Sequence, residues 1–260
     1  MWQRSTSRFA FAAALAAMFA LVAPARAATF SVDPILVTLG KGNSSASVAI
    51  TNQSATKLRL QVSGFAWQQN AAGEMQLQPT DDLVFFPQLV TLEPGETRRI
   101  RIGANTEQGA VEKTFRVFME ELPSLESVVA PKSAAITIRM KVGIPVFVSP
   151  NVAPVVSGAV RNVTARENAL AFDVVNTGNT HFAIQKVNVT GKNAAGAGVL
   201  SNELTGWYLL PGGTRHFTVP LSKGSCSALQ SLAVQVRADT VTFDGSFVDL
   251  GKQCGSVSRR

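Results

Sequence analysis

Within the stretch Ala134 to Pro150, AAITIRMKVGIPVFVSP, the residues Ile136, Ile138, Met140, Val142 and Ile144 alternate with Thr137, Arg139, Lys141 and Gly143. A period of two places the five apolar side chains on one face of a predicted strand and the others on the opposite face. Burying such side chains gains roughly 1.5 to 3 kcal/mol each, and leaving them on an open edge invites aggregation. Either the domain's own core covers the whole row or a second polypeptide covers part of it. The rest of the chain favours the second arrangement.

The same period recurs from Phe30 onward. FSVDPILVTL is followed by the turn Gly40-Lys41-Gly42-Asn43, then SASVAITN, then KLRLQVSGFAW. No helical periodicity competes, so the pattern predicts an all-β chain of sandwich type. Pro34 removes a ladder donor and predicts an edge strand or a change of partner. A proline-glycine turn at Thr91 to Glu96 leads into TRRIRIG, with Ile100 and Ile102 inward and Arg99 and Arg101 outward. TFRVFMEEL then sets Phe115, Val117 and Met119 against Arg116, Phe118 and Glu120 before Pro123 stops it, and the loop PSLESVVAPKS leads to the alternating stretch. After Pro150, the segment NVAPVVSG with Pro154 reads as a stiff linker into a second set of strands. The expected organisation is one sandwich over 28–150 and another over 151–260, each of immunoglobulin size. LEPGE near 94 and LLPGG near 211 share turn chemistry between the halves.

The start of the chain reads differently. Arg4 and Arg8 precede an apolar run from Phe9 to Val22, and Ala25-Arg26-Ala27 closes it in small-x-small form. This is the pattern of a cleavable secretory signal peptide over 1–27. Cleavage takes three of the 24 basic residues and none of the 17 acidic ones, leaving a moderate excess of four positive charges. The cations are scattered along polar strand faces, which is no nucleic-acid footprint. The only cysteines are Cys226 and Cys254. In an exported chain a single possible pair is expected to join, with a free-thiol or metal role as the alternative.

Catalytic chemistry is hard to place on this chain. His181 follows the turn residues Asn176 to Asn179 and is expected at the surface or packed in the turn, while His216 alternates with Phe217 in a strand; neither has neighbours at metal-ligand spacing. HExxH, CxxC, GxSxG and phosphate-cradling glycine loops are absent from the sequence. Asp81-Asp82 and Glu120-Glu121 are adjacent, and strand neighbours face opposite sides, which spoils them as acid/base pairs. The expectation is no enzyme, no metal, no cofactor and no use of ATP. The exposed cations Arg99, Arg101, Arg116, Arg139 and Lys141 are ordinary solvated strand residues unless a pair converges beside an open edge, where it could hold a carboxylate.

Taken in order, a signal peptide, FSVDPILVTL, PGETRRIRIG, FRVFMEELP and IPVFVSP opening onto a second β domain resemble the periplasmic pilus (fimbrial) chaperones of the chaperone–usher pathway, the PapD-like proteins. The resemblance covers essentially the whole mature chain and is strongest in the first half. It implies two immunoglobulin-like sandwiches set in a boomerang, with the last strand of the first lent to a pilus subunit and the cargo passed to an outer-membrane usher. The lent residues would be Ile136, Ile138, Met140 and Val142, with Ile144 kept in the chaperone's own core. Family members grip the subunit's terminal carboxylate with an arginine and a lysine, but Leu36 and Pro145 occupy those places here. An interdomain arginine falls on Ser149, with Glu121 as the retained acidic position. These departures resemble the archaic branch and transfer the carboxylate-gripping role to Arg116, with Arg101 as second choice. Self-pairing through the exposed edge is a further expected association. A secreted pilus subunit or adhesin of the same β class is the alternative.

Overall fold

Alternation writes each strand of the first sandwich with one face for the core, and the ladders sort the strands into two sheets. The computed structural model describes residues 30–123, 138–222, 224–250 and 254. The predicted leader 1–27 and Ile136 lie outside the described residues. One sheet is antiparallel and orders β1 (Phe30–Asp33), β3 (Ser45–Asn52), β8 (Thr97–Ala104) and β6 (Leu83–Phe86). The other orders β2 (Val37–Leu39), β10 (Lys141–Val148), β9 (Lys113–Glu121), β4 (Leu58–Gln69) and β5 (Met75–Gln78), with β7 (Leu89–Leu92) also on β4. Between them lie Val48, Ile50, Leu60, Ile100, Ile102, Val117, Met119 and Val146, all removed from solvent.

Pro34 behaves as its chemistry demands. The Asp33–Pro34 peptide is cis, and around it the chain leaves the first sheet, where β1 pairs β3, and joins the second, where β2 pairs β10 in parallel. A residue without an N–H suits a position between ladders.

Between Val148 and Gly158 the chain passes to a second sandwich. One sheet orders β11 (Gly158–Arg166), β12 (Ala169–Asn176) and β16 (Thr214–Pro220); the other orders β14 (Gly198–Leu204), β13 (Phe182–Lys192), β17 (Ser231–Ala238) and β18 (Thr242–Val248), with β15 (Tyr208–Leu209) also on β13. Phe172, Val174, Val187, Val189, Val219, Val234 and Val236 fill its core.

The turn chemistry shared by the halves has a common structural device. Asn52 is buried, and its Nδ2 donates to the carbonyls of Thr56, Leu92 and Glu93, while its Oδ1 accepts from the Ser54 N–H. Asn176, equally buried, donates to Thr180 O and Leu209 O and accepts from the Gly178 N–H. Each asparagine also donates its backbone N–H to the turn after LEP or LLP, at Glu96 O and Gly213 O respectively. A buried amide fully bonded in this way pins a sandwich corner that loose loops would leave open.

The second sandwich is stapled at its end. Cys226, in the helical turn Ser225–Ala228, is bonded to Cys254 with Cα atoms 5.7 Å apart. Closing a 28-residue separation removes unfolded-state entropy worth about 3.5 kcal/mol in the loop model. Denatured, unreduced exported protein is therefore expected to titrate no free thiol, and Cys254→Ala to lower unfolding free energy by about 2–4 kcal/mol in chemical denaturation.

Candidate functional site

β10 is bonded differently on its two sides. Toward β9 it is paired along its whole length, from Lys141 opposite Glu120 to Val148 opposite Lys113. Toward β2 it is paired only at Val146, Phe147 and Val148. The Met140 carbonyl accepts from the Glu121 N–H, whereas the Ser149 N–H donates to Leu39 O. These two bonds fix the phase: even-numbered residues turn their backbone groups toward β9, odd-numbered ones toward the β2 side. Lys141 and Gly143 thus direct backbone groups to an edge with no strand partner among the described residues.

The apolar row along this strand is graded. Ile144 is 2% exposed and belongs to the core; Met140 and Val142 are half-buried and pack against it; Ile138 is 67% exposed. The ladder is shorter than the alternation predicts: the strand begins at Lys141, and Ile138 precedes it. The partner sets this limit, because β9 ends at Glu121 and the chain then reaches Pro123, which has no N–H to continue a ladder.

Cross-strand registry puts Phe147, Pro145 and Gly143 on the outer face of this sheet, with Arg116, Phe118, Phe65 and Trp67 beside them. Phe118 lies over Gly143 so closely that a Cβ there would fall 2.5 Å from its ring. Any side chain at 143 would therefore require the Phe118 ring to shift, and the Gly143 carbonyl accepts a hydrogen bond from Arg116 Nη1 at 3.0 Å. At the far end of the same face, Lys141 and Glu120 form an exposed ion pair at 2.8 Å.

Arg116 is 7% exposed. Its Cζ sits 4.4 Å from the Trp67 ring centroid and 4.8 Å from that of Trp207, whose own centroids are 5.4 Å apart with planes inclined at 44°. The guanidinium occupies the mouth of a V made by two indoles, one from each sandwich. Facing the quadrupoles of two rings favours the cation. Burial nevertheless pushes its pKa below the ordinary arginine value, with Tyr208 acting weakly the other way. A value lower in the folded than in the unfolded state means that burying the charge opposes folding at neutral pH, a penalty that fades only as pH rises through the depressed value. Arg116 Nε and Trp67 Nε1 are both buried without an acceptor among the described residues.

The remaining predicted positions are dispersed. Arg101 lies on β8 in the opposite sheet, exposed, with Nε donating to Ser45 Oγ at 3.3 Å, so it does not converge with Arg116. Leu36 is exposed beside the start of β2, and Pro145 is buried in β10. Glu121 is not an interdomain group: its Oε2 accepts from the Met140 N–H. That role falls to Glu112, whose nearly buried carboxylate accepts from the His181 backbone N–H at 2.9 Å and meets its ring Nδ1 at 2.7 Å. His181 is stacked on Phe147 with centroids 3.5 Å apart, so it is a junction residue rather than a surface one. His216 meets Asp173 on the strand face.

Further bonds join the two sandwiches. The Gln69 amide donates to Tyr208 O at 2.8 Å and accepts from the Leu210 N–H at 2.9 Å; Asn179 Nδ2 donates to Ala110 O. Trp67, Phe147, Leu210 and Tyr208 form a separate apolar cluster at this junction. Sequence reasoning passed over Trp67, Trp207, Glu112, Gln69 and Gly143. The available signal was in β4, where the apolar phase of Leu58, Leu60 and Val62 switches to Phe65 and Trp67 around Gly64.

No group of three or more His, Cys, Asp or Glu side chains able to hold a metal ion occurs among the described residues. The arrangement suits recognition: a strand edge without a strand partner, a partly covered apolar row, and two buried donors without acceptors, all among the described residues.

Comparison with known proteins is consistent with that geometry. Residues 29–154 match the family model described as pili and flagellar-assembly chaperone, PapD N-terminal domain. No curated protein matches the sequence. Among solved structures, the class 5 fimbriae chaperone CfaA aligns over 85% of this chain and 99% of its own, with TM-score 0.56 and 14% identity. The Escherichia coli chaperone DraB aligns over 85% and 99%, with TM-score 0.55 and 15% identity. The CsuC–CsuE chaperone–tip adhesion subunit pre-assembly complex, from archaic chaperone–usher Csu pili of Acinetobacter baumannii, aligns over 74% and 90%, with TM-score 0.52 and 18% identity. At these identities the likeness establishes a shared two-domain β-sandwich fold.

One expected outcome concerns the junction. Glu112→Ala leaves the His181 N–H without its acceptor and should lower stability by about 1–3 kcal/mol. A double-mutant cycle with His181→Ala, which removes the imidazole and keeps the backbone N–H, should show coupling of at least about 1 kcal/mol by chemical denaturation, and additive losses would show that the ring contact with Glu112 contributes nothing to joining the sandwiches.

Proposed function

We propose that this chain, whose residues 29–154 match the model of the pili and flagellar-assembly chaperone family, PapD N-terminal domain, captures pilus subunits in the periplasm by lending them β10 and its lead-in. The observation that carries this reading is the edge at Lys141 and Gly143, which has no strand partner among the described residues and whose Gly143 carbonyl bonds a side chain, Arg116, beside the exposed Ile138. Strand addition uses both features. Main-chain hydrogen bonds run along the open edge, and alternate apolar side chains enter the partner's groove. Ile136, Ile138, Met140 and Val142 are the lent row, and the half-burial of Met140 and Val142 makes Ile138 the residue with most surface to give. Burial drives the exchange, so neither ATP nor a catalytic group is required.

Arg116 is the proposed anchor for the subunit's terminal carboxylate, since its side chain reaches the carbonyl of Gly143 on the open edge. Arg101, on the opposite sheet, has no comparable access to that edge. With the carboxylate at Arg116 and the rest of the strand extending toward Ile138, the added strand runs parallel to β10. The segment 1–27 is the proposed export signal, 28–150 the subunit-binding domain and 151–260 the second domain. An outer-membrane usher is the proposed recipient of the cargo, and pairing of two free chaperones through the same edge is the proposed fate of an unoccupied strand. The alternative role of a pilus subunit is disfavoured because β10 completes the first sandwich and a whole second sandwich follows.

Ile138→Asp should leave the melting temperature within about 3 °C, as an exposed substitution does, while reducing co-purification of a co-expressed subunit at least tenfold, an effect on the order of 1.4 kcal/mol. Unchanged co-purification would sink the lent-strand assignment. Arg116→Gln, which removes a buried charge that burial already disfavours, should weaken the complex far more than the fold. A stability loss equal to the binding loss, measured by denaturation and by subunit titration, would make Arg116 structural instead.

A further inference from the structure

The passage from the first sandwich to the second is laced to both. Residues 151–157 run between the β8–β9 loop, 105–112, and the β12–β13 loop, 177–181. Toward the first sandwich, the Asn151 N–H donates to Gly109 O and its Nδ2 donates to Gln108 O at 2.9 Å. Toward the second, the Asn179 N–H donates to Val155 O, the Thr177 N–H donates to Ser157 O, and the Ser157 and Thr177 hydroxyls meet at 2.8 Å. The two backbones approach so closely that a Cβ at Gly178 would fall 2.1 Å from Val155 O, a main-chain atom with no rotamer to change.

One side chain ties all three segments together. Asn179 Oδ1 accepts from the Val155 N–H at 2.7 Å, and its Nδ2 donates to Ala153 O and to Ala110 O, each at 3.1 Å. Its own carbonyl accepts from the Glu112 N–H. Two residues on, His181 is stacked on Phe147 of β10 and bonded twice to Glu112. The stretch 179–181 therefore grips the loop, the linker and the covered end of the strand whose other end is open. Pro150 and Pro154 restrict two φ angles, which stiffens the linker without fixing its direction. The amide supplies the direction, because it donates and accepts at once and carries no charge for salt to screen.

We infer that Asn179 is a positioning residue for strand capture: it locks the second sandwich to the β8–β9 loop and the linker, and so sets where that sandwich stands beside the edge at Gly143 and Lys141. The inference rests on the capture reading above and adds what keeps the edge accessible. The second sandwich packs on the outer face of the sheet that contains β10, at Phe147. Freed to swing, it stands wrongly beside that edge in part of the population, and apparent affinity falls with the fraction that remains competent.

The test uses the exported full-length chain with the co-expressed pilus subunit of the Ile138→Asp measurement. Asn179→Asp keeps the acceptor for the Val155 N–H and replaces the donor to Ala110 O and Ala153 O by an oxygen that repels them. Amide exchange over 105–112 and 151–157 should become at least about tenfold faster, as the loss of two hydrogen bonds implies. Small-angle scattering should show a larger radius of gyration, and subunit retention should fall at least about tenfold. Asn151→Ala, which removes one bond to the same loop, should reduce retention about threefold and serves if the first variant does not fold. Ser157→Ala, which loosens the linker from the second sandwich alone, should leave retention unchanged. Unaltered exchange and scattering in Asn179→Asp overturn the lock. Altered scattering with full retention overturns the positioning role and leaves the capture reading standing. An equal loss of retention in Ser157→Ala overturns the assignment to Asn179. If the unmutated chain retains no subunit, the capture reading falls and the positioning role falls with it.

Discussion

The structure turns on a strand, β10, that among the described residues is paired along its whole length with β9 on one side and over three residues with β2 on the other. The first ladder, with Ile144, Val146 and Val148 in the core, keeps the strand in place whatever lies on its other side. Unpaired backbone groups at an edge are tolerable while water reaches them, so the gap beyond Val146 need not be filled by the chain itself. Apolar exposure then increases toward Ile138, away from the covered end. A fold with β2 longer by a few residues would seal this edge; the change of sheet at Pro34 keeps β2 short.

Much of this was legible in the sequence, and the parts that were not have identifiable causes. Period-two alternation placed Ile100 and Ile102 inward and put Phe115, Val117 and Met119 on one shared face, which is the core face of their strand. The partner change at Pro34 and the joining of Cys226 to Cys254 followed from residue chemistry. The start of β10 did not, since alternation continues back to Ile136 while a ladder needs a partner, and β9 ends at Glu121. His181 and Glu112 were beyond reach for another reason: residues 69 apart meet only once two domains are packed. Glu121 looked acidic and well placed, yet its carboxylate serves the local Met140 N–H.

The outer face of the β10–β9–β4 sheet shows why Trp67 escaped notice. A sheet with one buried face should be polar on the other, and at Lys141 and Glu120 it is. Toward Phe147 it becomes apolar, because the second sandwich covers it with His181, Tyr208 and Leu210. The two apolar faces of β4 therefore read as a broken period around Gly64. That break is a sequence signature of a strand that serves a core at one end and an interdomain contact at the other.

This gradient also bears on how a lent strand would be oriented. The end of the face next to the second sandwich is dry and aromatic, the middle holds a buried cation opposed by desolvation, and the far end is charged and open to water. Arg116 has no acidic partner among the described residues, and its desolvation cost is offset only by two indole faces and the Gly143 carbonyl. An incoming carboxylate changes the balance, because the same low-polarity surroundings that disfavour a lone charge strengthen a paired one. Anchoring the terminus there leaves the rest of the incoming strand only the direction of the open edge, past Gly143 and Lys141 toward Ile138. Under the proposed anchoring, electrostatics at one end and strand pairing along the edge would select a single register, and recognition would be specific for where a chain ends as well as for its apolar pattern.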